Sequence, residues 1–155
     1  MPFTDIDQQA MQMAIKASEQ ALSNGDMPFG ATLVSKSGEV LMVDKNTQNS
    51  QNDCTAHAEL ALIRNAQLTL PKGAMAGASI YASGEPCAMC TGAIFWAGIE
   101  RIIYAASQDD IAKALGGKIL PLKSIDVLNG ADPKVRVDGP LLREEAIKVL
   151  QKFNL

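Results

Sequence analysis

A chain of 155 residues fits one domain that is long enough to bury its own core. Hydrophobic residues make up 47% and charged residues 20%, as in ordinary globular proteins, and no apolar run reaches the roughly 18 residues needed to span a bilayer. The net charge is −3 and lysines and arginines are scattered singly, which argues against a large nucleic-acid-binding surface and favours a small-molecule substrate.

The first residues and the cysteines indicate where the protein works. M-P-F-T-D-I-D-Q-Q has no basic residue and no apolar stretch like a secretion signal. Two of the three cysteines stand in a C-x-x-C run, which argues against a disulfide framework and favours metal or thiol chemistry. We expect a cytoplasmic protein with one domain over residues 1–155.

Apolar spacing predicts helices and strands in the first two thirds of the chain. The predicted elements are a helix over 5–23 capped by Thr4 or Asp5, a hairpin of 29–34 and 40–43, a polar loop over 46–53, a helix capped by Thr55 that ends before 70–73, a strand over 78–82, a helix opened by Pro86 through Trp96, a strand over 101–106 and a helix over 108–115.

The last third is more weakly patterned. Short strands are possible at 124–128 and 134–137, and Pro140 is expected to open a final helix that reaches about Phe153. A helix, a hairpin and then alternating helices and strands predict an α/β fold, with helices on both faces of one mixed sheet in three layers.

Two short motifs predict a metal site. Cys87 and Cys90 follow Pro86 and share one turn at the start of a helix, where the helix dipole favours thiolate. His57, the only histidine, and Glu59 lie in T-A-H-A-E at the start of another helix. We infer that two helix N-termini converge on one Zn²⁺, with His57, Cys87 and Cys90 as ligands and Glu59 beside the metal.

Such a site predicts hydrolysis. One imidazole and two thiolates leave a fourth position on Zn²⁺ for water, whose pKa there falls to roughly 7. Glu59 can take the proton of that water and pass it to a ring nitrogen and then to a departing amine. The expected reaction is attack on an amidine-like carbon with loss of ammonia.

Two other interpretations of the same residues remain open. Cys54 can complete a closed Cys₃His structural zinc site, in which Glu59 would be an ordinary solvent-facing acid. Cys87 and Cys90 can also form a metal-free redox pair, although such a pair does not require the H-A-E run.

The H-A-E and P-C-A-M-C motifs, in this order and spacing, resemble the zinc-dependent cytidine-deaminase-like superfamily, whose signature is H-x-E…P-C-x-x-C. The resemblance covers most of the chain, from about Met11 to Phe153. It implies a five-stranded sheet flanked by helices, one Zn²⁺ per chain on the three ligands named above, and Glu59 as proton shuttle. It also implies a homodimer or a larger assembly.

Further residues resemble the guanine deaminases within that superfamily. They are G-D-M-P-F-G-A at 25–31, G-A-I-F-W-A at 92–97 and I-Y-A-A at 103–106, whereas tRNA adenosine deaminases more often have P-V-G-A. The substrate-binding residues that the resemblance implies are Phe29, Asn46, Ala58, Trp96 and Asp110. Each polar or aromatic one has a structural alternative: Phe29 and Trp96 as core, Asn46 in a turn, and Asp110 as the cap of helix 108–115.

The C-terminal segment from V-D-G-P to F-N-L does not match the guanine-deaminase tail and is similar to the closing helix of other nucleobase and nucleoside deaminases. We therefore expect a zinc deaminase of a small nucleobase or nucleoside, with a guanine-type purine first. The alternatives are a tRNA-specific adenosine deaminase and a cytosine or cytidine deaminase. An inactive zinc-binding partner subunit is the non-enzymatic alternative.

Overall fold

A mixed sheet of five strands forms the centre of the fold in a computed structural model that describes residues 2–154. The strands in chain order are β1 (Gly30–Val34), β2 (Val40–Lys45), β3 (Ser79–Gly84), β4 (Arg101–Ala106) and β5 (Arg136–Asp138). Their order across the sheet is β2-β1-β3-β4-β5. β1 runs antiparallel to β2 and β3, and β4 runs parallel to β3 and β5. The hairpin and the mixed sheet agree with the sequence prediction.

Helices cover both faces of this sheet. They are α1 (Asp5–Ser23), α2 (Gln48–Gln51), α3 (Ala58–Thr69), α4 (Ala88–Trp96), α5 (Gln108–Leu115), α6 (Ser124–Val127) and α7 (Arg143–Lys152). α1, α5 and α7 pack on one face with Tyr81 and Ile103. α3 and α4 pack on the other face with Ile80 and Ile102, and α6 lies against α4. The predicted three-layer αβα sandwich is confirmed.

β1 shows how the alternation of side chains builds the two core layers. Its Val34 packs with the α1 cluster and its Leu33 with the α3 cluster, because successive strand residues point to opposite faces. The Thr32 hydroxyl donates to the Ala10 carbonyl of α1 at 2.8 Å. Gly30 lies so close to α1 that an added Cβ would collide with the Ala14 carbonyl oxygen, so a side chain here would push the start of β1 away from α1.

α3 begins later than the sequence predicts. Thr55 is not its cap, because α3 starts at Ala58 with His57 at the N-cap position. The Thr55 hydroxyl instead donates to Asp53 at 2.6 Å. The polar loop predicted over 46–53 also contains the short helix α2.

The last third of the chain departs most from the prediction. The sequence allows a short strand at 124–128, but α6 occupies 124–127, since a short apolar run cannot distinguish the two structures. The strand expected at 134–137 is β5, displaced to 136–138. The final helix begins at Arg143 and not at Pro140, because Leu142 before it adopts the left-handed conformation with φ of 56°.

A partly buried polar network joins α1 to β3, β4 and β5 away from the carboxyl end of β3. The Tyr81 hydroxyl donates to Asp7 Oδ1 at 2.6 Å, and Arg101 donates to the same oxygen at 3.0 Å. Arg101 also donates to Asp138 at 2.8 Å. Within residues 2–154, no helix has the length and apolar character to cross a membrane.

Candidate metal centre

Two helix N-termini meet beyond the carboxyl end of β3. After Gly84 the chain passes through Glu85 and Pro86 to Cys87, which is the N-cap residue of α4. His57 is the N-cap residue of α3. Both residues have extended backbone, with φ and ψ of −67° and 154° for His57 and −69° and 174° for Cys87. Neither side chain caps its own helix, so both are directed to the space between the helices.

Three donor atoms are grouped there at distances that suit zinc. The ligand atoms of His57, Cys87 and Cys90 all lie within 4.8 Å of one another. Cys87 Sγ is 3.5 Å from His57 Nδ1. Tetrahedral zinc, with Zn–S of about 2.3 Å and Zn–N of about 2.0–2.1 Å, places sulfur and nitrogen ligands about 3.5 Å apart. The residues therefore fit one Zn²⁺ with His57 Nδ1 as the nitrogen ligand.

The two thiols differ in acidity, as expected of a pair that shares a proton. A hydrogen bond from the Cys90 thiol, more than any other cause, lowers the pKa of Cys87 to about 4. The same bond, with burial, raises the pKa of Cys90. A dication bound between the sulfurs favours both thiolates and releases the shared proton.

Cys54 stands outside this group. It is exposed, and among residues 2–154 the only cluster of three or more potential ligands consists of His57, Cys87 and Cys90. The closed Cys₃His alternative is therefore wrong for this arrangement. Three protein ligands leave one coordination position of a tetrahedral ion for water or substrate, as catalytic zinc sites require.

Glu59 is buried beside the ligands without belonging to their cluster. It is the second residue of α3 and is 6% exposed. Burial, reinforced by the negative charge of Cys87, raises the pKa of Glu59 to about 7. Its position beside the ligand group is the one that a general acid–base needs in order to reach a metal-bound substrate or water.

Phe29 and Asn46 lie at the same end of the sheet. The Asn46 N–H donates to the Phe29 carbonyl at 3.0 Å. The Phe29 ring packs on Gly84, where an added Cβ would be 2.7 Å from Phe29 Cε1. Gly84 is three residues before Cys87 in the chain. The buried Asn46 side chain also forms a turn with Gln48, accepting from its N–H at 2.9 Å and donating to its Oε1 at 2.6 Å. These two bonds use one N–H and one oxygen lone pair of the amide, and the contact of Asn46 with a substrate stays a prediction.

Two of the predicted substrate residues, Ala58 and Trp96, lie at opposite extremes of burial. Ala58 is fully buried at the start of α3. Trp96 ends α4, six residues after Cys90 and so about 9 Å further along the helix, and it is 84% exposed. It contacts Phe95 edge to face, with ring centroids 4.9 Å apart. Trp96 is therefore not a core residue, and its contact with a substrate stays a prediction.

Asp110 is a helix cap, as the structural alternative predicts. It forms a capping box with Ser107 at the start of α5. Both carboxylate oxygens also accept from Arg143 of α7, at 2.9 Å and 2.8 Å. Arg143, with the Ser107 bonds, lowers the pKa of Asp110 to about 2. The contact of Asp110 with a substrate stays a prediction, and the structure shows the carboxylate bonded to Ser107 and Arg143.

Two buried acids near the site escape prediction from the sequence. Glu85, 7% exposed, accepts from the backbone N–H groups of Gln108 and Ser124. Asp26, 1% exposed, accepts from the N–H and hydroxyl of Ser50 and so ties the segment before Phe29 to α2. The available signal for Glu85 was a charged residue directly between a buried strand and a C-x-x-C run.

Comparison with known proteins agrees with this geometry. Residues 4–106 match the model of the cytidine and deoxycytidylate deaminase zinc-binding region. A probable cytosine deaminase of Schizosaccharomyces pombe is 38% identical over 88% of this chain and 85% of its own. A tRNA-specific adenosine deaminase of Buchnera aphidicola is 32% identical over 92% of this chain and 90% of its own.

Guanine deaminases are also similar to the chain. The Bacillus subtilis enzyme is 42% identical over 56% of this chain and 55% of its own. The solved structure of a guanine deaminase from Nitrosomonas europaea aligns with a TM-score of 0.83 over 95% of this chain and 84% of its own, at 24% identity. This last likeness shows that nearly the whole chain, including the last third, adopts the same fold.

Proposed function

Because the chain belongs to the cytidine and deoxycytidylate deaminase family, and is thus a zinc-dependent deaminase, we propose that it deaminates a small nucleobase or nucleoside, a guanine-type purine first. Water replaces the exocyclic amino group of the ring, and ammonia is the second product. One observation carries the proposal: the donor atoms of His57, Cys87 and Cys90 lie within 4.8 Å of one another, and Glu59, two residues after His57, is buried. Three such ligands would leave the fourth position of a tetrahedral zinc ion for water or substrate.

The residues of the chain divide the reaction between them. His57, Cys87 and Cys90 would hold Zn²⁺, which when bound supplies a Lewis acid that makes water nucleophilic near neutral pH. The Glu59 carboxylate removes a proton from the attacking water and delivers it to a ring nitrogen. It then transfers the second proton to the amino group, which leaves as ammonia.

A guanine-type base suits the residues beside the metal centre. Phe29 offers an aromatic surface on which a planar base can stack, and Asn46 offers one donor and one acceptor for its edge. P-F-G-A around Phe29 is the sequence that resembles guanine deaminases, and the Bacillus subtilis guanine deaminase is 42% identical over the part that aligns.

Cytosine is the second candidate substrate. The Schizosaccharomyces pombe relative, named a probable cytosine deaminase, aligns over 85% of its own length. The Buchnera aphidicola relative acts on tRNA by its name. The acidic balance of this chain, with net charge −3, weighs against the long basic surface that tRNA binding uses. RNA binding that weakens steeply with salt would favour the tRNA alternative.

Ammonia release from a panel of substrates tests the proposal. The zinc-loaded protein is incubated with guanine, adenine, cytosine, their nucleosides and small triazines, and guanine or a related aminopurine is expected to react fastest. Glu59→Ala should reduce the rate by about 10²–10⁴-fold while zinc content stays near one per chain. Undiminished ammonia release by that variant would contradict the assigned proton transfer.

The proposal extends to a cytoplasmic homodimer. Met89 and Trp96 expose 38% and 84% of their surfaces on α4, the helix that carries the cysteines. Further large apolar side chains are exposed between α5 and α6 and on α6 itself, at Ile119, Leu120, Leu122 and Ile125. Since α6 packs against α4, these side chains belong to neighbouring elements, and exposed apolar patches often mark surfaces that associate.

A further inference from the structure

Glu85 is a buried acid two residues before Cys87 that the proposed chemistry does not use. Its two carboxylate oxygens have separate partners: Oε1 accepts from the Gln108 N–H and Oε2 from the Ser124 N–H, both at 2.9 Å. Gln108 is the first residue of α5 and Ser124 the first of α6. One side chain therefore joins the starts of two helices to the segment that enters the metal centre.

The backbone of the same segment is held as closely as the Glu85 side chain. The Glu85 N–H donates to the Ala106 carbonyl at 2.7 Å, and the Glu85 carbonyl accepts from Gln108 Nε2 at 2.7 Å. The Pro86 carbonyl accepts from Gln108 Nε2, Ser124 Oγ and Thr91 Oγ1, at 3.2, 3.0 and 3.3 Å. Ser124 and Thr91 are fully buried. Each polar contact restrains the peptide that precedes Cys87.

This restraint fixes where the Cys87 sulfur lies. Cys87 Sγ must stand about 3.5 Å from His57 Nδ1 to share a tetrahedral zinc ion, and it does. Residues 85–87 belong to no helix or strand, and the Glu85 N–H bond to the Ala106 carbonyl is the last one that continues the pairing of β3 with β4. Beyond it, the side-chain bonds to Glu85 and Pro86 hold the peptide in place.

We propose that Glu85 is a positioning residue for the metal centre, which places Cys87 for zinc by anchoring the 85–86 peptide to α5 and α6. The proposal also gives a role to the chain after Lys118, because this segment places Ser124 against Glu85 and Pro86. It concerns the metal and holds whichever base is the substrate, so an inactive result in the substrate panel does not affect it.

Zinc affinity of a Glu85→Gln variant tests the proposal. Glutamine keeps the shape but presents an NH₂ group to one of the two N–H donors, so one anchor is lost and replaced by a donor–donor contact. We expect zinc affinity, measured by competition with a chromophoric chelator, to fall by about 10–100-fold. The absorption spectrum of the Co²⁺-substituted protein should change as well, because it reports ligand geometry.

Asp7→Asn is the matched control, since Asp7 is an equally buried carboxylate with several donors, far along the chain from the ligands. It should lower thermal stability while leaving zinc affinity within about twofold and the Co²⁺ spectrum unchanged. If Glu85→Gln binds zinc and Co²⁺ as the unaltered protein does, the proposal is wrong. If both variants lose affinity in proportion to stability, Glu85 is merely structural, and the proposal is again wrong.

A gentler pair of variants covers the case in which Glu85→Gln does not fold. Ser124→Ala removes one buried hydroxyl that donates to the Pro86 carbonyl, and Thr32→Val removes one that donates to the Ala10 carbonyl. We expect Ser124→Ala to lower zinc affinity by roughly 3–10-fold, in line with one buried hydrogen bond, and Thr32→Val to leave it unchanged. Equal zinc affinity in the two variants would overturn the proposal.

Discussion

At the scale of single residues, two side chains of the candidate metal centre lie at N-cap positions without capping their helices. An N-cap residue normally accepts a hydrogen bond from its own helix, and losing that cap costs about 1 kcal/mol. His57 and Cys87 occupy two N-cap positions and cap neither helix. Zinc binding offsets this cost, because the free energy of metal binding adds to that of folding.

Cys54→Ser should leave the metal centre intact. Cys54 is exposed and outside the ligand cluster, so the variant is expected to bind one Zn²⁺ with affinity within about twofold of the unaltered protein. Cys90→Ser removes one of three ligands and should reduce affinity by several orders of magnitude. Atomic absorption after dialysis against a chelator measures both. Zinc loss from Cys54→Ser would restore the closed Cys₃His alternative.

Glu59 and Asp110 show which residue roles a sequence can reveal. The burial of Glu59 beside the ligand group could be predicted, because the order and spacing of two short motifs, H-A-E and P-C-A-M-C, bring them to one site. Asp110 resembles a pocket residue in the sequence, yet its carboxylate is taken by Ser107, three residues away, and by Arg143, 33 residues away. The nearby partner was predictable as a cap, whereas the distant one depends on how α7 packs against α5.

At the scale of elements, the end of β3 requires a glycine at position 84, because there is no room for a side chain there. A Cβ on Gly84 would lie 2.7 Å from Phe29 Cε1 and 2.9 Å from Ile111 Cδ1. Gly84→Ala should therefore lower the free energy of unfolding by about 1–3 kcal/mol and, by displacing the Phe29 ring, raise KM for the base. Urea unfolding and steady-state kinetics measure the two effects.

Gly92→Ala is the control for this substitution. An added Cβ there meets nothing within 4 Å, and alanine in a helix is preferred over glycine by up to about 1 kcal/mol. Stability should stay constant or rise at a fixed protein concentration. A Gly84→Ala variant as stable as Gly92→Ala, with unchanged KM, would show that Phe29 does not need the space above Gly84.

Elements with strong local signals were predictable and the rest were not. α1 matches its predicted bounds because Thr4 and Asp7 form a complete capping box at its start. α6 was mistaken for a strand because only four residues are helical, and tertiary contacts of Ser124 decide their conformation. α7 starts late because Leu142 is left-handed, which no local pattern of this sequence indicates.

The Asp110–Arg143 pair joins α5 to α7 and should make stability depend on pH. The pKa of Asp110 is lowered from 3.8 to about 2 in the folded protein, so its contribution is complete above pH 4 and is lost as pH falls towards 2. Asp110→Ala should lower the free energy of unfolding at pH 7 by about 1–2 kcal/mol. The difference from the unaltered protein should shrink in urea titrations at decreasing pH.

Asp109→Ala is the corresponding control, because Asp109 is the exposed neighbour of Asp110 on the same first turn. It is expected to change the free energy of unfolding by less than about 0.5 kcal/mol at every pH. A loss equal to that of Asp110→Ala would show that the helix dipole, and not the contact with Arg143, provides the stabilisation.

At the scale of the whole molecule, the sheet separates chemistry from structural support. Zinc ligands, Glu59, Phe29 and Asn46 gather at the carboxyl end of β3 and beside it, where a parallel pair of strands leaves its loops. The network of Asp7, Tyr81 and Arg101 ties α1 to the sheet elsewhere.

The mixed sheet was predictable from the order of elements, since a hairpin followed by strand–helix–strand units gives one antiparallel and one parallel part.

The outer face of α4 is where we expect one chain to meet another. Trp96 is the only tryptophan and is 84% exposed, so its fluorescence reports burial by a partner. Trp96→Lys should raise the dimer dissociation constant by about 30-fold or more, the effect of losing an aromatic hot spot. Leu68→Lys, at a residue 77% exposed on α3, should not. Sedimentation equilibrium measures both, and a tryptophan emission that stays solvent-like at all concentrations would contradict association through α4.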